Sequence, residues 1–237
     1  MSNINGRTQN EPMFEFRFFE IYRSAEYIEL LLNGILVSGM LSVVAGIMGF
    51  LIASVLAIIR YWQIPIISFF CAAYIDFIRN TPLIVQLFFV AFGLPALFGY
   101  VWPFWAHALL GLTINFSGYF AEILRSGFSS IVIGQIEAAA ALGLSRWQTF
   151  KKVVFPQTIQ KMYAAISSQF IFIFLTTGVI SEIGVEDLTH AGLFIDSRTF
   201  RSFEVFILLT IIYLAMSIIF KLALQLLYKF KISRSQL

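Results

Sequence analysis

The chain has 237 residues, 59% of them hydrophobic and only 12% charged, with a formal net charge of +3. A soluble domain carries roughly 25% charged residues, so half that share places much of the surface against lipid and excludes a soluble enzyme module. The basic residues sit beside apolar runs rather than in one patch, which argues against nucleic acid as a partner.

Residues 1–27 form a mixed leader, with Phe14, Phe16, Phe18, Phe19 and Tyr22 set among Glu15, Arg17, Glu20 and Arg23. Aromatic residues favour the headgroup level, so a short interfacial helix fits; a partly disordered stretch over 1–12 fits equally. No basic, apolar and small-residue cleavage pattern stands here, so the first apolar run is expected to act as its own insertion signal. That run, residues 28–59, exceeds the ~20 residues a bilayer needs, which implies tilt or protrusion. Ser38, Ser42, Gly46, Gly49, Ala53 and Ala57 recur three or four apart, a stripe that lets helices pack closely in lipid. Scaffold is the first reading of that stripe, with a transport path as the alternative.

Residues 64–99 form one apolar region that must contain a break. A straight helix of that length would reach about 54 Å, too long for a ~30 Å hydrocarbon core. Asp76 and Arg79 are three apart and can pair on one helical face. Asn80-Thr81-Pro82 then reads as a stop and restart, a capping residue followed by proline. The expectation is an inclined or inner-face helix over 64–79 and a span from 83 to about 98. The run from Arg79 through Asn80, Thr81, Pro82, Leu83, Ile84, Val85 and Gln86 to Leu87 resembles a run of the polar amino acid permeases of ABC importers. Asn80 stands where that family usually has glycine. Gln86 is polar within the span, read first as an interhelix hydrogen-bonding group and alternatively as pore lining.

The third span covers residues 101–124, with Trp102 and Trp105 at its outer rim and Asn115, Ser117 and Tyr119 in its middle. His107 reads as an outer-rim polar residue. The stretch from Tyr119 to Gly127, with Ala121, Glu122, Ile123 and Arg125, resembles the same family. Glu122 and Arg125 are expected to form a structural or gating pair near the inner face.

The stretch after Arg125 is water-facing. Glu137 opens a run of strong helix formers, placed in their first turn where a negative charge complements the helix dipole. Gly143 supplies the left-handed residue that ends such a helix, and Ser145 with Gln148 forms a capping box for a second one. That second helix carries Arg146, Lys151 and Lys152 and is expected to stop or kink near Pro156. The basic excess marks the cytoplasmic side. Glu137, Ala138, Ala139 and Gly143, followed by Val153-Val154-Phe155-Pro156, resemble the EAA signature of ABC importer permeases. The resemblance implies that Glu137, Ala138, Ala139, Gly143 and Leu144 belong to a coupling helix that docks on a cytosolic ATPase dimer.

Residues 157–180 make the fourth span, and the stretch from Ser181 through Ile183, Gly184, Val185 and Leu188 to Thr189 again resembles the family. Just before it the family has a lysine, an acid, threonine, serine and leucine; here stand Leu175, Thr176, Thr177, Gly178 and Val179. Both charges are missing. Gln86, Asn115, Thr176, Thr177 and Gly178 are therefore the candidate substrate path, with hydroxyls and amides but no charge. The connection to about residue 202 reads as an outer loop, with Glu182, Glu186, Asp187 and Asp196 against Arg198 and Arg201. Residues 206–227 make the fifth span, followed by a basic cytosolic tail over 229–237.

No catalytic constellation is present: the two histidines are far apart, and neither His-Glu-x-x-His nor Gly-x-Ser-x-Gly occurs. Cys71 is alone, so neither an intrachain disulfide nor a cysteine metal cluster can form. No Walker loop is present, so ATP and magnesium are expected on a partner. The expectation is an all-α membrane protein with five transmembrane helices and a cytosolic coupling helix, the ABC transmembrane domain covering 28–228. The resemblance implies a permease of a binding-protein-dependent importer for a polar amino acid, in the bacterial inner membrane. Its N-terminus would lie outside and its C-terminus in the cytosol. The partners it implies are an ATPase dimer, a solute-binding protein and a second permease, with a heterodimer preferred because of the missing charges. A channel or assembly subunit without ATP coupling is the alternative.

Overall fold

A computed structural model describes residues 17–231, and they fold entirely as helices and connecting turns. The expected leader helix is seen only in part, as the single turn α1 (Phe19–Tyr22), and residues 1–16 lie outside the described part. The first apolar run forms one helix, α2 (Ala25–Tyr61), of 37 residues. At 1.5 Å per residue it is about 55 Å long, so it protrudes or tilts as its length requires.

The second region breaks where Asn80-Thr81-Pro82 stand. Helix α3 (Ile67–Arg79) and the run from α4 (Leu83–Phe88) through a π-helical turn (Phe89–Gly93) to α5 (Leu94–Phe98) meet at 106°. Asn80 ends α3, its side-chain amide donating to the Asp76 carbonyl at 2.7 Å, and Pro82 stands at the N-cap of α4.

Helix α6 (Phe104–Ser129) is the centre of the bundle. Leu112, Phe116, Phe120 and Leu124, four apart, are all fully buried. The small-residue stripe of α2 packs on it: Ala53 and Ala57 are fully buried, and a Cβ at Gly49 would come within 3.3 Å of the Thr113 carbonyl. This is scaffold packing of the kind that holds helices together in lipid. His107 on α6 is 2% exposed rather than at the rim, enclosed by the rings of Tyr100, Trp102 and Phe104.

Next come α7 (Ile133–Ala141) and α8 (Arg146–Thr149), a π-helical turn (Phe150–Val154), and α9 (Phe155–Thr176), which ends in a 3-10 turn (Thr177–Ile183). Of the stop or kink expected near Pro156, the stop does not occur: a π-helical turn interrupts the helix just before it, and α9 runs on from Phe155. Proline lacks an N–H and crowds the preceding turn of an α-helix, and the wider turn just before it lets the helix run on.

The connection read as an outer loop contains a helix, α10 (Leu188–Thr199), before α11 (Ser202–Lys231) closes the fold. Asp187 caps α10, accepting the His190 N–H at 2.9 Å, and the Leu188 N–H donates to Ser38 Oγ of α2 at 3.2 Å. A Cβ at Gly34 would lie 2.7 Å from the Leu188 Cα, so only glycine admits this contact. Among the described residues, three helices are long and apolar enough to cross a bilayer, and the bent pair makes a fourth. Helix α6 is not among them: it carries His107, Asn115, Glu122 and Arg125, and its neighbours rather than lipid cover much of it.

Asp187 is fully buried, and its Oδ2 has no hydrogen-bond partner among the described residues. Burial pushes its carboxyl up to about 6, against the backbone N–H groups of His190 and Thr189 that favour ionisation. The folded protein then holds a proton that the unfolded chain releases nearer 4, so stability is highest below that range and falls as pH rises through 6. Asp187→Asn keeps the acceptor for His190 without the buried charge. We expect it to raise the folding stability by roughly 2–3 kcal/mol at pH 8, with the gain shrinking toward pH 5. Thermal melts of wild type and variant in detergent across that range measure this, and a pH-independent gap would contradict the account.

Candidate functional site

Two features stand out: a capped elbow at one end of the bundle and a polar cavity beside the helix break. The elbow is built from local hydrogen bonds. At the end of α7 the Gly143 N–H bonds the Ala140 carbonyl at 2.9 Å and the Leu144 N–H bonds the Ala139 carbonyl at 3.1 Å. With Gly143 at φ +78 this is a complete Schellman motif. Ser145 then caps α8: its N–H donates to Gln148 Oε1 at 2.9 Å, and the Gln148 N–H donates to Ser145 Oγ at 3.3 Å. The bend and box match the sequence expectation. Glu137 does not: α7 begins at Ile133, so Glu137 lies beyond the first turn and gains no dipole contact there. Glu137, Ala138 and Gly143 are exposed while Ala139 is buried, so the first three face outward from the fold. Ile133, Leu142 and Trp147 add exposed apolar surface, 71%, 82% and 54% accessible, beside the exposed Arg146.

Glu122 lies farther along α6 toward the elbow. It accepts from Arg125 of its own helix, as expected, and also from Arg60 Nη1 of α2 at 3.2 Å. The pair is therefore a three-residue bridge joining the two helices, a link that sequence spacing has no means of indicating.

The cavity, about 470 Å³, is lined by Arg79, Asn80, Thr81, Asn115, Tyr119 and Thr176, with apolar walls including Phe116 and Phe172. The expected Asp76–Arg79 pair is not formed. Arg79 is the last residue of α3, and its guanidinium lies over the Tyr119 ring, 5.8 Å from the centroid. Of the candidate path, Asn115 and Thr176 line the cavity. Gln86 stands behind it: its Nε2 donates to the Ile78 and Thr81 carbonyls at 2.8 and 3.2 Å, and its Oε1 accepts from Asn115 Nδ2 at 3.0 Å. Thr177 is fully buried and bonds the Phe174 carbonyl, and Gly178 faces Thr189 and Tyr213, away from the cavity lining. Arg79, Asn80, Thr81 and Tyr119 are the polar lining residues that the candidate path left out. Spacing alone assigned Arg79 to Asp76.

Among the described residues no group of three His, Cys, Asp or Glu could hold a metal ion. A bundle of apolar helices with one polar cavity at a helix break and one rigid exposed elbow is the anatomy of a membrane transport subunit. The chain belongs to the family of binding-protein-dependent transport system inner membrane components, which it matches over residues 49–232. It is 35% identical over 180 residues to the L-cystine transport system permease protein TcyL of Bacillus subtilis (strain 168), covering 73% of this chain and 75% of that one. It is 34% identical over 201 residues to the glutamine transport system permease protein GlnP of Escherichia coli (strain K12), with 84% and 91% covered. A chain of a solved structure, described as an amino acid ABC transporter with histidines, superposes with a TM-score of 0.80 at 31% identity, covering 91% of this chain and 99% of that one. An inward-facing MetNI methionine transporter at 19% identity and a TM-score of 0.74 shares the fold.

Nothing lies within 4 Å of where a Cβ at Gly143 would stand, so a substitution there meets only the backbone penalty of φ +78. Valine would cost roughly 1–2 kcal/mol in that conformation and turn α8 away from α7. Gly143→Val is expected to insert and assemble normally while uptake by the complex falls. Blue-native electrophoresis with a transport assay measures both, and wild-type uptake by the assembled variant would remove the elbow from coupling.

Proposed function

We propose that this chain is the permease subunit of an ATP-driven importer that moves a polar amino acid across the bacterial inner membrane. The observation that carries the reading is the polar cavity at the helix break, in a chain 31% identical along most of its length to an amino acid ABC transporter. Relatives named for glutamine and cystine support the same substrate class.

The cavity chemistry suits such a cargo. A zwitterion leaving water needs its charges replaced. Arg79 offers a cation to the carboxylate, and Asn115 and Thr176 offer an amide and a hydroxyl. Among the described residues no acid lines the cavity to meet the ammonium group, and Thr176 stands where the family resemblance places an acid. A non-identical second permease supplies that acid in this reading, so the working unit is a heterodimer. Glu137, Ala138, Ala139, Gly143 and Leu144 form the elbow that receives a cytosolic ATPase, and ATP with magnesium is bound there rather than on this chain. A solute-binding protein delivers the amino acid from outside.

Reconstitution in liposomes with the ATPase and binding protein, and with or without a sister permease, tests this. ATP-dependent uptake of a polar amino acid is expected only with the sister chain. Arg79→Gln should raise the half-saturating substrate concentration about tenfold, the loss expected for one charged hydrogen bond. Absence of ATP-dependent uptake of any polar amino acid overturns the importer reading, and robust uptake without the sister overturns the heterodimer.

We further propose a topology of five spans with the N-terminus outside, which the basic residues beside the apolar runs support. Reporters fused after Leu237 or inserted at Ser145 should read as cytosolic, and one beside Phe200 as external. A cytosolic signal at Phe200 would refute the five-span count.

A further inference from the structure

One element runs from the cavity to the segment that packs against the elbow. Helix α3 carries Arg79 and Asn80 into the cavity, and its opposite end hangs on the short segment between Tyr61 and Ile67. In that segment two non-glycine residues take left-handed conformations, Gln63 at φ 51 and Ile66 at φ 66. Ile66, with ψ −56, is the centre of a γ-turn closed by the Ile67 N–H on the Pro65 carbonyl at 2.7 Å. A β-branched residue adopts this conformation only when its surroundings impose it. Ile66 itself is 75% exposed, so its own side chain does not impose it.

Trp62 holds the segment instead. Its indole packs edge-on against Trp147 of α8 at 5.6 Å and against Phe150 of the π-helical turn at 5.5 Å. Phe150, 3% exposed, also contacts Tyr61 of α2 and Phe128 of α6, so it is the hub of the cluster. A cavity of about 450 Å³ beside the cluster, lined in part by Trp62, Gln63 and Leu144, leaves the indole room to swing. At its far end α3 is seated on α6 by Tyr74, whose hydroxyl is 2.7 Å from Ser117 Oγ, and by Ile78 against Gly118.

We propose that Trp62 is a positioning residue for transport: it ties the 62–66 turn to the elbow, so that movement of the elbow tilts α3 and displaces Arg79 and Asn80 at the cavity. This rests on the importer reading above. The strained turn serves as a stiff joint, because a residue with few accessible conformations passes on a displacement that a free joint would absorb. Trp62 lies outside both the docking elbow and the lining of the polar cavity at the helix break.

Cys71, the single cysteine, lies buried on α3 and reports its movement. In the reconstituted complex, the maleimide labelling rate of Cys71 is read by mass spectrometry of its peptide, without nucleotide and after trapping with ATP and vanadate. Wild type is expected to show a difference of about fivefold or more between the two states, in the range of ordinary site-to-site coupling. Trp62→Ala should reduce that contrast to within about twofold and lower uptake per ATP hydrolysed in parallel, with basal ATP hydrolysis kept. Trp62→Phe, which retains a ring, should restore both. Ile66→Gly loses little packing, since Ile66 is largely exposed, and frees the joint, so it should behave as Trp62→Ala does, and it decides the matter if Trp62→Ala fails to assemble. A wild-type complex with no contrast, or an assembled Trp62→Ala or Ile66→Gly complex that keeps it, overturns the proposal. A wild-type complex that imports no amino acid defeats the importer reading itself, whereas normal import with an insensitive Cys71 contrast defeats only this inference.

Discussion

A helix that stops inside a hydrocarbon layer leaves carbonyls with no water to bond, and each such group costs several kcal/mol. The break at Asn80-Thr81-Pro82 frees carbonyls of this kind among packed helices, and Gln86 bonds two of them. One turn into the next helix, its amide donates to the carbonyls of Ile78 and Thr81 and is itself held by Asn115 of α6. The arrangement fixes the 106° angle between the two halves and seats α4 on the central helix. It also opens the cavity: the peptide chain leaves its helical path directly after Arg79, the last residue of α3, whose guanidinium does not pair with Asp76. The cation turns to the Tyr119 ring instead, an interaction of the cation–π kind. The candidate substrate path is thus a by-product of how one backbone break is satisfied.

The remainder of the bundle follows from close approach rather than from hydrophobic bulk. Between helices in lipid there is no aqueous phase to escape, so association depends on van der Waals contact and small residues. Gly46 admits the Phe170 ring of α9, Gly49 lets α2 meet the α6 backbone, and Gly127 admits Thr158 and Met162. The large side chains on α6 fill the spaces that these contacts leave, and Phe50, Phe120 and Phe170 meet at 4.9 to 6.4 Å in one aromatic knot.

Features set by hydrogen bonds between near neighbours were legible in the sequence. The Gly143 bend, the Ser145–Gln148 box and the stop at Asn80 each involve residues within a few positions, and local chemistry determines them. What was not legible depended on partners far along the chain. The Arg60 link to Glu122 spans 62 residues, and the ring cage of His107 depends on a loop that carries no periodic signal. Helix α10 was hidden because glycine and acids precede it, although Asp187 is a good cap residue three positions before His190. At Pro156 the sequence pointed to a stop or a kink without distinguishing them: proline crowds a regular α turn before it, and a π-helical turn relaxes that condition so that the helix continues.

The two ends of the elbow differ in stiffness, and the difference bears on how work could pass through it. The bend between α7 and α8 is closed by main-chain and capping hydrogen bonds, so it moves as one body. The next turn is π-helical, wider than the α-helical turns on either side, and turns of this kind concentrate at functional positions. Phe150 begins that turn and is also the hub where α2, α6 and the elbow meet. A rigid body joined to the bundle through one aromatic hub rotates about it more readily than it deforms. Displacement at the exposed face of α7 would then reach the interior through a few packed rings, which have discrete arrangements, rather than through gradual bending of α9.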